Sequence, residues 1–187
     1  KRWRNLNRCP DMIRCQYKND LEEYKRFCVF HLFVARGAQS FAYPILFFGI
    51  GIVLCVFGGL SGNSILFVGA GALFAVAVIM PFAMQALQKS KAEKRVRANA
   101  NFLKTQQFFC FDENSVTLKL KAGDREEEYE IPYEQIAGIY ERKDLFYVYI
   151  GKTQALIVPK ENLEGGSADD LAQLFRKTGK RFKEKKS

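Results

Sequence analysis

"FAYPILFFGIGIVLCVFGGLSGNSILFVGAGALFAVAVIMPFAMQAL", residues 41–87, contains no charged side chain. The charge-free run is longer still, filling the 52 positions 37–88 between Arg36 and Lys89. All 29 Lys+Arg and all 20 Asp+Glu of the 187-residue chain lie outside it. An unpaired charge is costly in hydrocarbon, so this segregation reads as a membrane part and water-exposed parts. The run divides at "GGLSGNS", residues 58–64. The flanking pieces, 41–60 and 65–87, are each long enough to span about 30 Å as a helix. Backbone groups in lipid must be satisfied within the segment, which predicts two helices. The connection is short, so they form a transmembrane hairpin. A pair of buried core helices is the competing reading. The remaining 135 residues are too few to cover such a pair and also fold elsewhere. An internal run of this length is not a cleaved signal peptide.

The flanks set the orientation. Lys25, Arg26 and Arg36 precede the hairpin, Lys89, Lys91, Lys94, Arg95 and Arg97 follow it, and its turn carries no cation. By the positive-inside rule both termini are expected in the cytoplasm, in a two-pass arrangement. Gly49, Gly51, Gly58, Gly59, Gly69, Ala70, Gly71 and Ala72 favour close helix contact. Pro44 is tolerated in a first turn, whereas Pro81 is interior and is expected to kink its helix. With no acid or base in the span, the sequence argues against a proton relay, an ion pump or a coupled transporter.

The cysteines are Cys9, Cys15, Cys28, Cys55 and Cys110, with no CxxC, and His31 is the sole histidine. That composition predicts no structural zinc, no disulfide and no cofactor.

In the water-exposed parts, residues 12–40 read as a short strand, "MIRCQY", followed by an amphipathic helix. Asp20 is placed to cap that helix, with Glu22 and Glu23 in its first turn. Residues 88–105 read as a basic juxtamembrane helix. Its Lys89, Lys91, Lys94, Arg95 and Arg97 point to the bilayer surface and to anionic lipid, worth about 1 kcal/mol per cation near the surface. This collar also accounts for the net charge of +9. No groove-reading helix or aromatic RNA motif is present, so nucleic acid is not an expected partner.

From residue 106 the apolar period changes to two, and about six strands are expected over the next 54 residues. "GGSADDLAQLFRK" then opens a helix with Ser167 as cap and Asp170 completing a capping box. The expected soluble unit is residues 106–182, with 183–187 as a frayed tail. The expected fold is therefore an α+β membrane protein. A two-helix transmembrane hairpin carries a cytoplasmic, pleckstrin-homology-like antiparallel sheet, closed by a C-terminal helix. Its candidate partner-binding loops carry Lys121, Arg125, Arg142, Lys143 and Lys152.

The phrases "MIRCQYKNDLEEYKRFCVFHLF", "FFCFDENSVTLKL", "YEIPYEQIAGIYERK" and "LFYVYIGKTQALIVPKENL" resemble the YcxB-like family of bacterial membrane proteins. The resemblance covers residues 12–182 and implies the bacterial cytoplasmic membrane as location. It also implies Met12 as a start, with residues 1–11 as an extension or artefact. It supplies architecture without a mechanism.

Three functional readings follow. In the first, the sheet domain binds a protein or lipid partner at the membrane, and the protein can also self-associate. The alternative is an immunity or resistance protein acting against a membrane-active toxin or bacteriocin. Related bacterial two-helix proteins with such domains are linked to resistance of that kind. An enzyme is the least supported: Glu126–Glu127–Glu128 alternates on a strand as a solvated face, and no triad, metal cluster or phosphate loop is visible.

Overall fold

The computed structural model describes residues 12–35, 37–99, 101–123, 125–151, 153–179 and 182–184. The described chain forms two compact units: residues up to Asn19 together with those from Asn101 onward, and Asp20–Asn99.

The second unit holds three helices. Helix α1, Leu21–Phe30, starts where the sequence puts it: the Asp20 carboxylate accepts the N–H groups of Glu22 and Glu23 at 2.8 and 3.0 Å. One π-helical turn, His31–Ala35, continues it, and a 3-10 turn, Gly37–Phe41, leads into α2, Ala42–Ser61. Gly62 takes a left-handed φ of 67°, and the Asn63 side chain accepts the Ile65 N–H at 3.0 Å to start α3, Ser64–Ala98. The "SGNS" turn thus ends one helix and caps the next.

Both α2 and α3 are long and apolar enough to cross a membrane. Their large apolar side chains face outward; Leu60 is 81% exposed and Val68 74%. At 35 residues α3 measures about 52 Å, well beyond a ~30 Å hydrocarbon core. Its helical course continues through Pro81 and carries the basic segment to Ala98, short of the expected residue 105.

The hairpin packs on few of its small residues. A Cβ on Gly51 would lie 2.6 Å from Phe74 Cε1, and one on Gly58 3.2 Å from Leu66 Cβ. Ala70 and Ala77 are buried on the facing helix. Gly51/Gly58 and Ala70/Ala77 each repeat every seven residues, the seam spacing of paired helices. Gly49, Gly59 and Gly71 meet nothing within 4 Å. Beyond the apolar stretch, α1 packs along α3. Phe27 and Phe30 are buried on α1, Ala92 and Val96 on α3.

The first unit is built from nine strands and one helix among the described residues. They are β1 (Ile13–Lys18), β2 (Gln106–Phe111), β3 (Ser115–Ala122), β4 (Arg125–Pro132), β5 (Gly138–Glu141), β6 (Leu145–Tyr149), β7 (Ala155–Pro159), β8 (Leu163–Glu164), α4 (Ala168–Lys177) and β9 (Phe182–Glu184). They form two sheets, ordered β4-β3-β2-β1-β8 and β7-β6-β5-β9.

This corrects the expectation of a single antiparallel sheet. Six strands do fill residues 106–159, but they divide after β4, where Pro132 and a 3-10 turn at Tyr133–Gln135 break the ladder. One pairing, β5 with β9, is parallel. The described part of the expected tail, Lys183 and Glu184, lies in β9. A second difference concerns residues 12–40, which do not stay together. Ile13–Lys18 is an inner strand of the first sheet, paired residue for residue with β2 from Ile13↔Phe111 to Lys18↔Gln106.

Helix α4 closes this unit. Its capping box forms as expected: Ser167 Oγ accepts the Asp170 N–H, and Asp170 accepts the Ser167 N–H. Phe175 is fully buried and meets Phe111 of the first sheet and Phe146 of the second at 5.6 Å each, both edge-on. One side chain thus joins the two layers.

Candidate functional site

Lys89, Lys91, Lys94, Arg95 and Arg97 are all exposed on the last turns of α3. Their neighbour Glu93 is half-buried and paired. Glu93 accepts Arg97 at 2.6 Å and stands 3.8 Å from Lys25 of α1, which also bonds Glu22 at 2.8 Å. The collar is therefore a solvent-facing row of cations on a helix fixed through its apolar side.

The loop residues are less uniform. Lys121 is half-buried in β3 and lies 3.5 Å from Glu126; Arg125 is exposed at the start of β4. Arg142 and Lys143 sit in the β5–β6 turn, half-buried and exposed respectively. That turn is tied down from both sides. Asp144 C=O accepts the Lys160 N–H at 2.9 Å, and Lys160 Nζ reaches Glu141 at 2.6 Å while lying 4.8 Å over the Phe146 ring. Lys152 lies outside the described residues. The structure thus places the described cations on two separate hairpin turns, and those turns belong to different sheets.

Strand β4 is the outer strand of its sheet. Residues 125–130 are exposed although side chains alternate between the two faces, so this end of the strand stands clear on both. On one face Glu128 pairs with Lys119 at 3.2 Å and Glu126 with Lys121 at 3.5 Å, each directly across from β3. On the other face Tyr129 is 48% exposed and its hydroxyl donates to Glu127 at 2.6 Å. The Glu127 carboxylate raises the phenol pKa by accepting that bond.

A cleft of about 740 Å³ opens where β4 ends, lined by Glu113, Ser115, Glu130, Tyr133, Glu134 and Lys177 among others. Sequence spacing gave no sign of it, because its carboxylates come from the β2–β3 turn, from β4 and from the turn after β4. Tyr133 forms its floor: the ring is 5% exposed and its hydroxyl donates to Asp112 C=O at 2.7 Å. Burial first, and the Asp112 carboxylate second, push its pKa far up, so it remains a neutral phenol. Glu130 accepts Ser115 Oγ at 2.9 Å. A smaller cleft of about 280 Å³ shares Glu113 and Lys177 with it. The lining suits a cationic group. Among the described residues no set of three His, Cys, Asp or Glu is placed to hold a metal.

The sequence also hid a neck. The chain leaves the sheet unit after Asn19 and returns before Thr105, and these two residues are joined, the Asn19 N–H donating to Thr105 C=O at 3.2 Å. The Asn19 side chain donates to Phe102 C=O at 3.0 Å and accepts Gln107 Nε2 at 2.6 Å.

In a comparison with protein families, residues 111–175 match the family described as YcxB-like protein. The matched stretch runs from the last residue of β2 to Phe175 in α4, so it lies wholly in the sheet unit. Searches of curated proteins and of solved structures gave no match.

Proposed function

We propose that this chain is a non-enzymatic inner-membrane protein of bacteria whose cytoplasmic, pleckstrin-homology-like domain binds a protein or lipid partner. The observation that carries the reading is the neck. The apolar hairpin is inserted between two strands paired over their whole length, so the sheet unit is fastened to it by two adjacent chain crossings. A double attachment suits a domain held at a surface. If the hairpin is passed over, β1–β4 and β5–β7 are two successive meanders followed by a helix. That order supports the pleckstrin-homology-like reading. Such folds recognise partners through loops and sheet edges rather than by catalysis.

The exposed collar supports a cytoplasmic position for the sheet unit, with anionic lipid as its surface partner. Reporter fusions test the orientation. Green fluorescent protein at the C-terminus should fluoresce, and alkaline phosphatase inserted at Gly62 should be active; the reverse pattern sinks the proposed topology.

Native mass spectrometry of the protein extracted in mild detergent from its own host tests the function. A stoichiometric protein or a retained anionic lipid supports it. A bare chain or homodimer, combined with no specific crosslinks in cells, overturns it. A second reading, immunity against a membrane-active toxin, draws on Gly49, Gly59 and Gly71, which the hairpin leaves open. It predicts that Gly49→Leu with Gly71→Leu abolishes protection while leaving the sheet domain's binding intact.

A further inference from the structure

Within that reading, on which this inference rests, we infer that the free edge of β4 and the adjoining acidic cleft form a docking site for an extended, lysine- or arginine-rich segment of a protein partner. Edge strands are normally short, covered or guarded by inward charge, because their unpaired N–H and C=O groups recruit other strands. β4 is eight residues long, and its first six are exposed on both faces. At ~3.4 Å per residue those six offer about 20 Å of open ladder, enough for a partner strand of five or six residues.

The charges choose the partner. Glu126 and Glu128 are already matched by Lys121 and Lys119. Glu127 meets a tyrosine hydroxyl and Glu130 a serine hydroxyl, and among the described residues neither has a cation within salt-bridge distance. Glu127 lies on one face of the strand and Glu130 on the other. A strand added beside β4 with basic side chains on both faces would meet both carboxylates. Glu130 also lines the cleft, together with Glu113. A long basic side chain there gains a second carboxylate and a sheltered place for its methylenes. The half-exposed Tyr129 ring, on the same face as Glu127, adds an apolar and cation-binding surface. Backbone pairing would supply affinity, and the carboxylates would set specificity.

The test uses the full chain in phosphatidylcholine nanodiscs, which present no anionic lipid to a basic peptide. The probe is a fluorescent octapeptide, Lys-Lys-Thr-Thr repeated twice, which as a strand carries lysine on both faces. Its control carries N-methyl groups on alternate residues, keeping the charge and removing the ladder. The unmodified peptide should bind and should slow hydrogen exchange across residues 125–132. N-methylation should weaken binding about tenfold, and so should Glu127→Gln with Glu130→Gln, which preserves the local hydrogen-bond acceptors. Absence of binding, equal affinity of the N-methylated peptide, or affinity unmoved by the double variant each overturns the inference. If native mass spectrometry still yields a protein or lipid partner, the failure lies with this edge and not with the partner-binding reading.

Discussion

Asn19 stands on one side of the break that the hairpin makes in the sheet and bonds to three residues on the other. Its amide holds the Phe102 carbonyl and the Gln107 side chain, and its backbone holds Thr105. Asn19→Ala removes both side-chain bonds, leaving the Gln107 amide without this acceptor while the Phe102 carbonyl keeps the Thr105 N–H, and should cost about 1–3 kcal/mol. Asn19→Asp keeps the acceptor for Gln107 and loses the donor, so it should fall between. Hydrogen exchange at the β1 and β2 amides reads both. Equal protection in all three proteins would show that the neck is held by the strand ladder alone.

Cys15, on β1, carries a pH prediction. It is 2% exposed, with Sγ 3.6 Å from Pro159 C=O. Burial first, and the Glu164 carboxylate second, push its pKa up to about 12. The unfolded thiol ionises near 9, so above that pH the unfolded chain loses a proton that the folded one keeps. Stability from this residue is therefore complete below pH 9 and falls from there towards about pH 12, by at most about 1.4 kcal/mol per pH unit. Cys15→Ala should flatten that alkaline decline in denaturant titrations of the full chain. A slope unchanged from that of the parent would mean that Cys15 is not its source.

Among the elements, the hairpin separates what sequence pattern can and cannot say. Absence of charge located both helices to within a few residues, except for the C-terminal end of α3. The pattern could not tell which glycines face the partner helix, since all are equally small and the face depends on helix rotation and crossing. The structure selects Gly51 and Gly58 and leaves Gly49 and Gly71 open. Gly51→Leu must displace Phe74 and should destabilise the hairpin by about 1–3 kcal/mol. Gly71→Leu should be close to neutral. Thermal aggregation in detergent, followed by size-exclusion chromatography, compares them; similar losses would contradict this seam. The caps at Asp20 and Ser167 were legible for the opposite reason. Capping is local chemistry, complete within four residues. The acidic cleft was not, because folding alone brings together residues as far apart as Glu113 and Lys177.

For the molecule as a whole, the pairing of β1 with β2 is the feature least visible in sequence and most open to test. The 87 residues between Lys18 and Gln106 separate two strands that meet in full register. Alternation could identify each strand but not its partner, and a hairpin that satisfies its own backbone gives no sign of interrupting a sheet. Loop-closure entropy grows only slowly with length, so such an insertion is thermodynamically tolerable. The sheet unit has its own buried core, with Val116, Ile139, Phe146, Val158, Leu171 and Phe175 each fully enclosed. Excision of residues 20–104 should therefore leave a foldable domain. Asn19 and Thr105 already face each other across the ladder, and an Asn-Gly pair between them forms a tight hairpin turn with the right twist. The shortened protein should be soluble without detergent and melt cooperatively. Its amides in β1 and β2 should remain protected. It loses the Phe102 bond to Asn19 but retains the one from Gln107, so a modest drop in melting temperature is expected. Aggregation without a cooperative transition would show instead that the inserted helices are needed to bring β1 to its place in the sheet.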